Sequence, residues 1–104
     1  MSMVFLCKVS DVPPGRAKRI ARGRKPAVAV FEVEGRFHAT ADQCTHGTAL
    51  LSRGQIVEGR IICPLHAGSF DLVTGAPMDL PCDTPLAVYP VDVREDGIYA
   101  EIPD

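Results

Sequence analysis

Apolar and polar residues alternate with period two over much of the chain, the spacing of half-buried strands rather than helices. Met3 to Val9 reads as a first strand, stopped by the turn-prone Asp11-Val12-Pro13-Pro14-Gly15. Ala27-Val28-Ala29-Val30-Phe31-Glu32-Val33 is rich in valine, Glu34-Gly35 breaks it, and Arg36-Phe37-His38-Ala39-Thr40 resumes, which predicts a hairpin. Gln55-Ile56-Val57 and Arg60-Ile61-Ile62 about Glu58-Gly59 predict a second hairpin. Leu86 to Val93 and Ile98 to Ile102 about Glu95-Asp96-Gly97 predict a third. No window keeps helical spacing for the roughly ten residues a helix needs. The expected fold is all-β, built from small antiparallel sheets, and the nine prolines and nine glycines suit its short strands and irregular loops.

A length of 104 residues predicts one domain, 1–104, without internal repeats or a linker. Met1 to Lys8 has no charged lead followed by a long apolar stretch, so no signal peptide is expected. No unbroken apolar run is longer than Ala27 to Phe31, far short of the roughly 20 residues that span a bilayer. A cytoplasmic protein is predicted, and in a reducing compartment four cysteines read as metal ligands or buried apolar groups rather than disulfides.

A net charge of −2 says little, but its distribution says more. Arg16, Lys18, Arg19, Arg22, Arg24 and Lys25 are six of the eleven cations, in a stretch without acids, whereas Gly54 to Asp104 has nine acids and only Arg60 and Arg94. No aromatic residue interleaves the basic stretch for base stacking, so a nucleic-acid role is not expected. Residues 16–25 read as a solvated loop and strand edge, where cations discourage edge-to-edge pairing, with docking of a protein partner as a secondary use.

Two segments carry the chemistry: Cys44-Thr45-His46-Gly47 and Cys63-Pro64-Leu65-His66-Ala67-Gly68. Each follows a strand-like stretch and offers one thiolate and one imidazole at the start of a turn-prone loop. Separately the pieces are weak, because a lone cysteine usually behaves as a small hydrophobe. Together they form Cys-x-His, sixteen residues, then Cys-x-x-His, a pattern that points to one shared metal centre. Zinc accepts two cysteines and two histidines, usually in ligand pairs of one kind. Here each loop mixes the types, so one iron of a 2Fe–2S cluster can take both cysteines and the other both histidines, the asymmetric Rieske arrangement. Colour and metal content separate the zinc module from the iron centre.

These boxes, continued by Ser69-Phe70-Asp71 and Thr74-Gly75, resemble the cluster-binding boxes of Rieske ferredoxins. The likeness is closest to the ferredoxin components of bacterial aromatic-ring-hydroxylating dioxygenase systems, and extends to the opening strand, the turn at 11–15, Pro85-Leu86 and Tyr89. It implies a Rieske fold of three small antiparallel sheets with the 2Fe–2S cluster held by two loops at one tip. It also implies a proline-bearing covering loop at Gly75 to Pro81, Cys44 and Cys63 on the buried iron, and His46 and His66 on the outer one. The implied activity is not enzymatic. It is that of a soluble, monomeric one-electron carrier between a flavin-dependent ferredoxin reductase and a terminal oxygenase. The alternative is the Rieske-like small subunit of an assimilatory nitrite reductase. The oxygenase itself is excluded, because a mononuclear iron needs two further histidines and a carboxylate, and only His38 remains.

Respiratory-chain Rieske proteins, by the same resemblance, brace their boxes with a disulfide and place a serine and a tyrosine as hydroxyl donors to sulfur. Ala49 and Leu65 stand at the disulfide positions here, and Gly68 and Phe70 at the donor positions. Fewer donors predict a potential at the low end of the Rieske range, roughly −150 mV. Pro64, Pro77 and Pro81 are expected to stiffen the cage. Gly47 and Gly68 are expected to allow close backbone approach, with their N–H groups directed at sulfur. Leu65, Ala67 and Pro81 are the candidates for an apolar ring around solvent-reaching imidazoles. Cys7 and Cys82 read as thiols outside any disulfide, and His38 as structural or exposed.

Overall fold

The computed structural model describes residues 2–45, 47–65 and 67–103. Eleven strands among them form three antiparallel sheets, and the described residues include two short 3-10 turns, Val9–Asp11 and Leu51–Arg53, but no α-helix. The first sheet has the order β1 (Ser2–Cys7), β11 (Gly97–Ile102), β10 (Val91–Arg94). The second has the order β2 (Ala17–Arg22), β3 (Lys25–Val33), β4 (Arg36–Ala41), β9 (Val88–Tyr89). The third runs β5 (Gln55–Val57), β6 (Arg60–Ile62), β7 (Ser69–Asp71), β8 (Pro77–Asp79).

The predicted hairpins at 34–35 and 58–59 form with the expected turn residues. Glu34 and Gly35 have φ of 50° and 82°, and Glu58 and Gly59 have φ of 50° and 77°. Positive φ at both central positions is the twist that matches antiparallel strands. The third hairpin also forms, but Leu86–Val93 is not one strand. Pro90 has no N–H to give a ladder and divides the run, so that β9 pairs with β4 while β10 pairs with β11. The stretch 16–25 contains β2, which pairs only with β3 and is therefore an edge strand, with Lys18 and Arg19 exposed. Within the expected covering loop, Pro77–Asp79 is strand β8, which pairs with β7.

Two cores explain the apolar pattern. In β3, Val28 and Val30 point to one side and Ala29 and Phe31 to the other, so this unbroken run is buried on both faces. Val28 and Val30 pack with Leu6, Ile98, Ala100 and Ile102 of the first sheet. Ala29 and Phe31 pack with Leu51, Ile61, Phe70, Leu72 and Leu86, and this second core also holds Cys44, Cys63 and Cys82. Cys7 lies in the first core, buried beside Leu6 because a register shift between Phe5 and Cys7 turns two successive side chains inward.

Candidate metal centre

The first box leaves the end of β4. Asp42, two residues ahead of Cys44, is 1% exposed and gathers three donors: Arg19 Nε at 3.0 Å, Ser52 N at 2.7 Å and Ser52 Oγ at 3.1 Å. Its own backbone N–H reaches Ala27 O, and its carbonyl accepts from Leu51 N. Cys44 N then donates to Ala49 O at 2.9 Å, and a bridge between Gln43 and Leu50 closes the loop. The second box is the connection of the β6–β7 hairpin, where Cys63 N donates to Gly68 O at 2.6 Å and Ala67 takes a left-handed φ of 58°. The two boxes therefore hang from different sheets and meet over a shared core.

Cys44 and Cys63 are 2% and 0% exposed, and their side chains face each other. Burial pushes the Cys63 thiol up, the Leu65 backbone N–H at its sulfur lowers it, and Cys44 raises it again. The four cysteines form no disulfide. Two adjacent buried thiols from separate loops, with a backbone N–H aimed at one sulfur, are the donor set that the cysteine-bound iron of a 2Fe–2S cluster requires. Loading must displace their protons. His46 and His66, the proposed imidazole donors, lie outside the described residues. Among the described residues no group of three or more His, Cys, Asp or Glu is arranged to hold a metal ion.

A third segment crosses both boxes. Thr45 Oγ1 donates to Thr84 O at 2.8 Å, tying this segment to the first box. On the other side the Ser69 hydroxyl donates to the Asp79 carboxylate, which also accepts from Arg60 Nη1 at 3.1 Å. Cys82 sits between, its Sγ 3.8 Å from Cys44 Sγ, and its thiol is pushed up by burial, lowered by Cys44, and raised by Cys63 and Asp83. Thr45 lies within the first box, but Asp42, Asp79 and Cys82 belong to no sequence motif. Of these three only Asp42 could have been suspected, as an acid at the end of an apolar strand.

The expectations for the two box glycines divide. A Cβ on Gly68 would meet Cys82 Sγ at 2.5 Å, Cys82 N at 3.0 Å and Asp79 O at 3.1 Å, so close approach there is real. Among the described residues a Cβ on Gly47 would meet only Leu65 Cδ2 at 3.6 Å, and the Gly47 N–H donates to the Cys44 carbonyl at 3.3 Å. Of the predicted apolar ring, Leu65 and Ala67 are exposed and Pro81 is half-buried; the neighbouring Leu80, 81% exposed, is the more prominent apolar surface. His38 lies half-buried in β4, opposite Phe31.

Residues 2–90 match the family model for the Rieske [2Fe-2S] domain. The 3-phenylpropionate/cinnamic acid dioxygenase ferredoxin subunit of Escherichia coli (strain K12) is 42% identical over 105 aligned positions, covering 100% of this chain and 97% of the relative. Among solved structures, Sphingomonas yanoikuyae B1 ferredoxin is 36% identical with a TM-score of 0.91, covering 98% of this chain and 100% of the other. A chain of the complex of reduced oxygenase and oxidised ferredoxin in carbazole 1,9a-dioxygenase is 41% identical with a TM-score of 0.88, over 94% of this chain and 91% of that one. The nitrite reductase [NAD(P)H] small subunit from Erwinia carotovora, at 24% identity and a TM-score of 0.78 over 100% of this chain and 85% of that one, shares the fold alone. The chain belongs to the Rieske [2Fe-2S] family, as a ferredoxin close to dioxygenase ferredoxin subunits, an electron carrier whose cofactor is a Rieske cluster.

Proposed function

We propose that Cys44 and Cys63 hold one iron and His46 and His66 the other. We further propose that this chain, as a single-domain cytoplasmic monomer, carries one electron at a time from a flavin-dependent ferredoxin reductase to the terminal oxygenase of an aromatic-ring-hydroxylating system. The observation that carries this reading is the meeting of Cys44 and Cys63 in one buried core, from loops on different sheets. When bound, the cluster supplies reversible one-electron transfer. The protein's part is to hold the two sulfurs in place and keep them dry through Leu51, Ile61, Phe70 and Leu86. It also presents Leu65, Ala67 and Leu80 as exposed apolar surface on the segments that bear the site. Small, transient interfaces are typical of such carriers. No helix among the described residues is long and apolar enough to cross a membrane.

Anaerobically purified protein should contain two irons and two acid-labile sulfides per chain, as the cofactor's composition requires. Dithionite should produce a Rieske spin-resonance signal. Added to a reductase and an aromatic-ring oxygenase, the protein should restore NADH-dependent product formation. A colourless zinc protein would end the ligand assignment. A red-brown protein that both partners ignore, yet that co-elutes with a nitrite reductase, would end the assignment to an oxygenase system.

A further inference from the structure

Cys82 belongs to neither box, yet two contacts place its sulfur between them and a third ties its segment to the first box. Its Sγ is 3.8 Å from Cys44 Sγ, and both residues are 2% exposed. Gly68 leaves room for it: a Cβ at position 68 would come within 2.5 Å of the Cys82 sulfur and 3.0 Å of the Cys82 nitrogen. On the far side, the Thr45 hydroxyl at Thr84 O, 2.8 Å, ties the segment bearing Cys82 to the first box. The thiol is thus held at one place rather than carried on a flexible tail.

We propose that Cys82 is a positioning residue for electron transfer, its S–H donating to the Cys44 sulfur and favouring the reduced form of the cluster. The inference rests on the assignment of Cys44 as an iron ligand made above. Between two thiols either sulfur could be the donor. A thiolate on iron has no proton to give, so the direction becomes fixed, with Cys82 donating and Cys44 accepting. Reduction adds negative charge to the cluster and its sulfurs, and a donor at a ligand sulfur stabilises that charge and raises the potential. A thiol is a weak donor, so its effect is smaller than a hydroxyl's. No covalent bond forms or breaks in this role.

The test compares wild-type holoprotein with Cys82→Ala and Cys82→Ser, each assembled in D2O. Midpoint potentials are read by voltammetry, and exchangeable deuterons near the reduced cluster by electron–nuclear double resonance. Cys82→Ala should keep the Rieske spectrum, shift the midpoint to a more negative value and lose one deuteron coupling. Cys82→Ser keeps a donor and should keep a coupling and recover part or all of the shift. An unchanged midpoint and coupling in Cys82→Ala would overturn the proposal, and so would equal shifts in the two variants. Failure of both variants to assemble a cluster would also overturn it, assigning Cys82 to assembly instead. A wild-type protein without a Rieske signal would refute the ligand assignment itself, an outcome distinct from a normal wild-type signal that Cys82→Ala leaves untouched.

Discussion

Arg19 Nε donates to Asp42 Oδ2 at 3.0 Å, joining the edge strand β2 to the residue that leads into the first cysteine box. The Arg19 side chain is 49% exposed and that of Asp42 only 1%. One of the six clustered cations is therefore not simply solvated. Because Ser52 donates to the same carboxylate through both N and Oγ, Asp42 also couples the box to the Leu51–Arg53 turn.

The two partners of this ion pair should respond unequally to removal. Asp42→Ala leaves the Ser52 N–H without this acceptor, and a hydrogen bond to a charged group is worth about 1.5–3 kcal/mol. Arg19→Ala removes only a half-exposed partner, for which less than about 1 kcal/mol is expected. Denaturant unfolding of the anaerobic protein, followed by circular dichroism, should show a clearly lower midpoint for Asp42→Ala and a small change for Arg19→Ala. Equal losses would mean that the arginine, and not the backbone donor, makes the carboxylate important.

The two box glycines give a second asymmetric pair. Gly68→Ala forces a methyl group against a sulfur and two backbone atoms, and such overpacking costs typically about 1–3 kcal/mol. Gly47→Ala meets one flexible leucine at an ordinary distance. Visible absorbance after purification should be reduced or lost in Gly68→Ala and retained in Gly47→Ala. The opposite order would show that Gly47, rather than Gly68, governs access to the site.

Much of this fold could be read from the chain because the local signals agreed with the tertiary structure. Glu34-Gly35 and Glu58-Gly59 make the turns their residue types favour, and the valine run of β3 is buried on both faces. The reading of 16–25 as a strand edge holds, since β2 pairs only with β3. The reading that failed depended on partners distant in sequence. Leu86 to Val93 looks continuous, and only the placement of two sheets reveals that Pro90 divides it. In the candidate site, Cys44 and Cys63 stood out by their spacing from histidines. Cys82 has no such spacing, and its place beside Cys44 comes entirely from the return of a third segment across the boxes.

His38 is the histidine that should be dispensable for the cluster. His66→Ala should abolish the visible Rieske spectrum, whereas His38→Ala should leave it intact. Bleaching by the second substitution would contradict the ligand assignment.

His38 should nevertheless affect pH dependence. Burial lowers its pKa below the ordinary value near 6.5, the Arg36 charge lowers it further, and Asp71 opposes them. Below about pH 6.5 the unfolded chain therefore binds a proton that the folded protein resists, so stability rises with pH through this window. The His38 contribution is fully present above the unfolded value and is lost as pH falls through the folded one. Unfolding midpoints of wild type and His38→Gln, compared between pH 8 and pH 5, should show the steeper acid loss in wild type. Parallel curves would mean that His38 titrates alike in both states.

The reduction potential follows from which donors reach the sulfurs. Leu65 N–H is directed at Cys63, but Gly47 N–H is engaged by the Cys44 carbonyl. Phe70 is fully buried without a hydroxyl, and position 68 has no space for a side chain that could carry one. Cys82 supplies only a weak S–H. With no hydroxyl at position 68 or 70, the added electron is less stabilised than where both are present, and the midpoint should fall near the low end of the Rieske range, about −150 mV. Such a value suits the relay proposed above. Protein-film voltammetry at neutral pH measures it directly, and a midpoint above about +100 mV would require hydroxyl or charged donors that these residues do not provide.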